Sequence, residues 1–294
     1  MSDDDMFAGH AQELFEHLLH GLVEPELERR IQAGTIEVGT PIVAMQALYW
    51  IDRPTQVRIN SEVGGIAQVR ATREIVRDQD VTTDDFDLVS RFELLDADRD
   101  AAHMTALLHK EGWSLATSFT YNTNRIHDHI DAAAEFVTTA DQALADGRLR
   151  AFSENAFAAA ELLAKAELLL LPDKRLINKM RHGTVRSYFR AWTRLENADA
   201  AFSDLLNQLD DLRGTARYLR GPFTLQQQQA EEMSAVLAQF AEHVAAVAPP
   251  RSIKDPVVPR ALNLIAQQDL RAGQAVPVPK RGGLESLTPT PVTS

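Results

Sequence analysis

The stretch Phe152-Ser153-Glu154-Asn155-Ala156-Phe157-Ala158-Ala159-Ala160-Glu161-Leu162-Leu163-Ala164-Lys165-Ala166-Glu167-Leu168-Leu169-Leu170 decides the fold. Phe152, Ala156, Ala159, Leu163, Ala166 and Leu170 recur at steps of three and four, the spacing of one helix face. Ala160, Leu162 and Leu169 lie off that stripe, so apolar character wraps most of the cylinder up to the break at Pro172. A helix that is apolar nearly all round must be covered on several sides, which predicts the middle of a helical bundle.

The flanking sequence supplies the covering helices. Upstream, Ile130, Ala134, Val137, Ala140 and Leu144 form one face of a helix that starts near Asn124 and ends near Gly147. Downstream, Val185, Phe189 and Trp192 mark a helix over about 183–195. Phe202, Leu205, Leu209, Leu212, Ala216 and Leu219 mark another, closed by Gly221-Pro222. A last one runs over about 225–247 with Met233, Val236, Phe240 and Val244 on one face. Five helices with short connections make an all-α antiparallel bundle over residues 124–248.

Residues 1–123 have a different texture. Phe7, Leu14, Leu18, Leu22 and Leu27 sit among polar neighbours in a helical pattern over 7–33, which Val23-Glu24-Pro25 is expected to break in two and Gly34 to stop. After Thr35, short apolar runs alternate with turn residues: Ile36 to Val43, Val57 to Ile59, Ile66 to Val69, Ile75-Val76, Phe92 to Leu94 and Trp113 to Thr120. These predict a mixed module with a small antiparallel sheet. Residues 249–294 hold Pro249-Pro250, Pro277, Pro279, Pro289, Pro291 and Gly282-Gly283, the composition of a flexible tail. The fold class is therefore α+β: mixed module, helical bundle, tail.

Composition removes several chemistries. The chain has 294 residues, of which 45% are hydrophobic and none is cysteine, so it can build a core but no disulfide, thiolate metal site or cysteine nucleophile. No run approaches the roughly 18 apolar residues that span a bilayer, and the N-terminus is acidic, so a cytoplasmic protein without membrane partners is expected. Asp96-Ala97-Asp98-Arg99-Asp100 opens like a calcium loop but has Ala101 and Leu107 at the sixth and twelfth positions. His127 and His129, two apart, face different sides of a helix. Neither makes a metal site, and no cofactor fingerprint such as a phosphate-cradling glycine loop is present.

Charge points to one segment. Residues 1–100 hold 21 acidic and 9 basic side chains, whereas 101–294 hold 21 of each. Between Lys174 and Leu195 stand Lys174, Arg175, Lys179, Arg181, Arg186, Arg190 and Arg194, with no acid. His182, Arg186, Arg190 and Arg194 are each four apart and stack along one helix face, where like charges repel unless an anion lies against them. Nucleic-acid phosphate, the acidic N-terminal module or a subunit contact, and open solvent are all candidate surroundings. For an RNA ligand the binding candidates are Lys179, Arg181, Arg186, Arg190 and Arg194. Tyr188, Phe189 and Trp192, at helical spacing, are expected in the core rather than as a stacking platform. Arg213 and Arg217 have Asp210 and Asp211 within reach on the same helix, and Glu161 with Lys165 makes an i,i+4 pair.

Residues 132–219 resemble the HEPN domain (higher eukaryotes and prokaryotes nucleotide-binding helical domain). The resemblance runs through Ala143-Leu144-Ala145-Asp146-Gly147-Arg148, then Glu154 to Lys165, then His182-Gly183-Thr184-Val185 with Phe189, and ends at Arg213 and Tyr218. It implies a helical bundle, frequently a homodimer, with one of two roles. Many members are metal-independent endoribonucleases, some in defence or toxin–antitoxin systems. They carry an Arg-x4–6-His motif in which the Arg steadies the scissile phosphate and the His acts on the 2′-hydroxyl or the leaving group. Others lack the motif and bind RNA or a protein partner as scaffolds. Here the counterpart is Arg213 with Tyr218 in place of the His, and a phenol is a poor base at neutral pH. An Arg-x6-His also occurs, from Arg175 to His182, ahead of the third bundle helix. The candidate catalytic residues are thus Arg213, Tyr218, Arg175 and His182.

Overall fold

The computed structural model describes residues 3–75, 81–178, 182–219, 221–251 and 290–291. The chain divides into two compact units, Met1–Phe119 with Ser252–Ser294, and Thr120–Arg251.

The first unit opens with α1 (Asp3–Glu16), a π-helical segment (His17–Val23) and α2 (Glu24–Gln32). The expected break at Val23-Glu24-Pro25 does not occur. Pro25 falls in the first turn of α2, where its missing N–H is not needed, and the wider π turn carries the chain into it with Glu24 N–H donating to Leu19 O. Six strands follow: β1 (Ala44–Tyr49), β2 (Gln56–Ile59), β3 (Ile66–Ala71), β4 (Phe86–Glu93), β5 (Ala102–His109) and β6 (Gly112–Ser118). Thr290–Pro291 form β7. One sheet has the order β2-β1-β5-β6-β7, antiparallel except for β7 on β6, and β3-β4 pair separately.

Phe15, Leu18, Leu19, Val23 and Leu27 pack on one face of the sheet, against Met45, Met104, Ala106, Leu108 and Trp113. Ala44 and Leu107 on the other face meet Phe86 and Val89 of β4. The central strand β5 is therefore buried on both sides. Its run His103-Met104-Thr105-Ala106-Leu107-Leu108 lacks the alternation that marks a half-exposed strand, so sequence reading passed over it. Ile36 and Val38, expected in a strand, precede β1 in a bend and a turn: Ile36 packs partly buried against the sheet core, and Val38 is 85% exposed. Val76 lies outside the described residues, as does the tail expected over 249–294 apart from 249–251 and β7.

The second unit is all helical: α3 (Thr123–Ala145), α4 (Leu149–Leu168), α5 (Lys174–Asn178), α6 (His182–Arg194), α7 (Ala200–Ala216) and α8 (Gln227–Val247). The α+β class holds. As its sequence demands, α4 sits in the middle and packs against α3, α6, α7 and α8. Ala156, Ala159, Ala160, Ala164 and Ala166 are buried and let those neighbours approach closely. Gly147, with φ of 70°, takes the left-handed conformation that ends α3, and Arg148 N–H returns to Ala143 O at 2.8 Å. Asp199 caps α7 by accepting from Ala201 N–H at 2.8 Å. Phe189, Phe202 and Phe240 stack in the core, with centroids 5.2 and 4.6 Å apart. α7 ends at Ala216, so Leu219, expected on its inner face, is 71% exposed.

Candidate functional site

Helix α4 is apolar, yet it carries two buried acids, Glu161 and Glu167, and a half-buried Glu154. Removing a carboxylate from water is costly unless donors meet it, so each acid dictates what packs against it.

Glu161 takes Lys165 from its own helix, with Nζ 3.0 Å from Oε1, and His182 from the first turn of α6. His182 Nδ1 lies 2.7 Å from Oε1 and 2.6 Å from Oε2. The Glu161 side chain is 7% exposed and that of His182 57%, so a buried anion holds the inner edge of an imidazole whose bulk faces outward. Glu167 accepts from Trp192 Nε1 at 2.9 Å and has His243 Nε2 at 3.1 Å, a second buried carboxylate tied to an outer histidine.

Glu154 faces α7. Arg217 Nη1 lies 3.5 Å and Arg213 Nε 3.9 Å from its Oε2. Asp210 instead receives Arg186 of α6 at 2.6 Å, so the α7 arginines do not depend on the acids of their own helix. Arg213 is mostly covered, 16% exposed, and its guanidinium carbon stands 4.8 Å from the centroid of Phe157. The His182 ring lies 6.0 Å from the same centroid. The fold thus brings together one member of each candidate pair. Arg213 of α7 and His182 of α6 share the ring of Phe157, with Glu154 behind the arginine and Glu161 behind the histidine.

The other two candidates are placed elsewhere. Tyr218 follows the end of α7 and is 53% exposed, with Arg217 5.7 Å from its ring. Arg175 is held by Asp173 through Nε and Nη2 at 3.0 and 2.6 Å and stands 5.6 Å from the Tyr188 ring; the carboxylate raises its pKa further above the ordinary arginine value.

Of the RNA-binding candidates, Arg186 is neutralised by Asp210, whereas Arg190 and Arg194 are exposed on α6 with no ion pair to a described residue. Lys179 and Arg181 lie outside the described residues. Phe189 is fully buried, and Tyr188 and Trp192 pack partly buried against the same core. Between α7 and α8 an open cavity of about 600 Å³ is lined by apolar side chains, Leu212 and Met233 among them, and by the acids Asp204, Asp211 and Glu232. Its charge disfavours a phosphate ligand. No group of three metal-ligating side chains occurs among the described residues. In the first unit, Asp98 is occupied by Arg58 at 2.6 and 3.0 Å.

Sequence reading missed Glu154, Phe157 and the role of Glu161. They stand at i, i+3 and i+7, one face of the helix that decides the fold, and the signal was there: acids on a helix otherwise built for burial need partners.

Compared with known families, residues 126–247 match the model of the HEPN domain, which takes in α3 from its first turn through to the end of α8. None of the curated proteins matches the chain.

Proposed function

From the match of residues 126–247 to the HEPN-domain model, we propose that the protein acts on RNA as a metal-independent endoribonuclease of a cytoplasmic defence or toxin-like system, as a homodimer. The observation that carries this reading is the convergence of Arg213 and His182 on Phe157. These are the two side-chain types of the family motif, supplied here by two helices instead of one. In the reaction, the ribose 2′-oxygen bonds to the adjacent phosphorus and the bond from phosphorus to the 5′-oxygen breaks. A 2′,3′-cyclic phosphate and a 5′-hydroxyl result. His182 exchanges the proton and Arg213 offsets charge on the phosphoryl oxygens. Arg190 and Arg194 hold the flanking backbone.

The test is incubation of the full chain with labelled transfer RNA and with total cellular RNA in EDTA. Cleavage that persists in EDTA and disappears in folded His182→Ala and Arg213→Ala supports the reading. Intact RNA under all conditions overturns it. A second reading, a non-catalytic bundle that binds a protein partner, draws on the cavity between α7 and α8, lined by apolar and acidic side chains. It would survive that result, and the association would persist at high salt.

A further inference from the structure

We infer that Glu161 is a positioning residue: it fixes which nitrogen of His182 carries the proton and turns the other, Nε2, outward as a proton acceptor. The inference rests on the proposed RNA reaction for its purpose, but its geometry stands independently.

The argument starts from donors and acceptors. A carboxylate only accepts, so an imidazole nitrogen 2.6 and 2.7 Å from its two oxygens must donate. Nδ1 therefore carries hydrogen, and in the neutral ring the lone pair is left on Nε2. Free imidazole side chains favour the opposite arrangement, so the assignment needs a fixed acceptor. Glu161 is well suited to be one. It projects from the most buried helix of the unit, its side chain is 7% exposed, and Lys165 Nζ at 3.0 Å supplies a second donor that supports the carboxylate. A flexible surface acid would not hold the ring this way, because water would compete for both partners.

The consequence is directional. The histidine is anchored at its inner edge by Glu161 and lies against Phe157, beyond which Arg213 stands on the same ring. A base whose acceptor nitrogen faces outward can take the 2′-hydroxyl proton at the start of the reaction. With the proton on Nε2 instead, the same residue would begin as a donor and the first step would have no base. The roles separate accordingly: His182 touches the reacting atoms, and Glu161 acts only through it.

Two readouts on the full chain test this. The first is long-range proton–nitrogen correlation of ¹⁵N-histidine-labelled protein at a pH where the ring is neutral, with the His182 signals identified by their loss in His182→Gln. We expect Nδ1 protonated and Nε2 free in the wild type. Glu161→Gln, which keeps the shape but can donate as well as accept, should shift His182 toward the Nε2-protonated form. The second is RNA cleavage. Glu161→Gln should lower kcat by at least about 10-fold, and by as much as about 10⁴-fold, the loss seen when the orienting carboxylate of a base histidine becomes an amide, with KM unchanged. Glu161→Asp, which still only accepts, should recover part of both signals.

A wild-type His182 protonated on Nε2 overturns the inference, as does a Glu161→Gln variant that changes tautomer yet cleaves at the wild-type rate. A wild type that shows the Nδ1 signature but cleaves no RNA overturns the proposed reaction instead and supports the Glu161 geometry.

Discussion

The sheet unit and the helical unit bury histidine in opposite ways. In the sheet, His103 lies on the central strand with its ring covered and Thr105 Oγ1 3.0 Å from Nδ1; burial alone pushes its pKa down to about 4. In the bundle, the carboxylates are buried and the histidines reach outward from them, His182 from Glu161 and His243 from Glu167. A ring enclosed among neutral groups is packing. A ring braced from behind by an anion and open in front can exchange a proton with a ligand. Burial of the partner, and not of the histidine itself, separates the two.

The largest effect expected from this contrast is a crossed pair of substitutions. His182→Ala should abolish cleavage, a loss of about 10²–10⁴-fold for a general base, and leave the denaturant midpoint of the sheet unit unchanged; in the helical unit it removes one donor from the buried Glu161 carboxylate, which keeps Lys165. His103→Ala should do the reverse. It removes a buried ring that meets Phe92 at 5.4 Å and costs about 1–3 kcal/mol of stability in the sheet unit, with cleavage unchanged. Urea titrations followed on the buried Met45 and Met104 methyl groups report the sheet unit, and gel assays report cleavage. If both variants moved the same quantity, the contrast would fail.

The next effect in size is pH dependence of the sheet unit. The folded-state pKa of His103 is depressed to about 4 from an ordinary 6.5, so between those values the unfolded chain takes up a proton that the fold refuses. Stability should therefore decline as pH falls from 6.5 toward 4, by about 1.4 kcal/mol per pH unit at most. His109, also lowered by burial, contributes with the same sign. Urea midpoints of the Met104 methyl signal at pH 7.5, 6, 5 and 4.5 measure the decline, and His103→Gln should flatten it.

The same contrast explains what the sequence disclosed. The bundle was legible because α4 and its neighbours alternate small and large apolar residues at helical spacing, with clear stops at Gly147 and Pro172. In the sheet, β5 was hidden because a strand covered on both faces has no polar side to reveal its period. The helix through Pro25 was hidden because a proline at a first turn and a proline that breaks a helix read alike without the carbonyls around them. For the site, Arg213 and His182 were found singly and assigned to separate pairs. Pairing them needs the packing of α6 and α7 on α4, a contact between residues far apart in the chain that one-dimensional spacing does not carry.

The smallest effect tests the basic face of α6, where paired and unpaired arginines stand on one helix. Arg190 and Arg194 are exposed and without ion pairs to described residues, so they remain available to phosphates; Arg186 is already matched by Asp210. Each phosphate contact on single-stranded RNA contributes about 0.7 to the slope of log affinity against log salt. Replacing Arg190 and Arg194 by Ala should therefore reduce that slope by about 1.4 and weaken binding at low salt. Arg186→Ala should leave the slope nearly unchanged and cost at most about 1 kcal/mol of stability, as expected for a partly exposed pair. Fluorescence anisotropy of labelled RNA across a salt series measures both. Equal slopes in all three proteins would mean that this face does not meet RNA, and the repulsion along α6 would then call for an anionic surface of a partner protein.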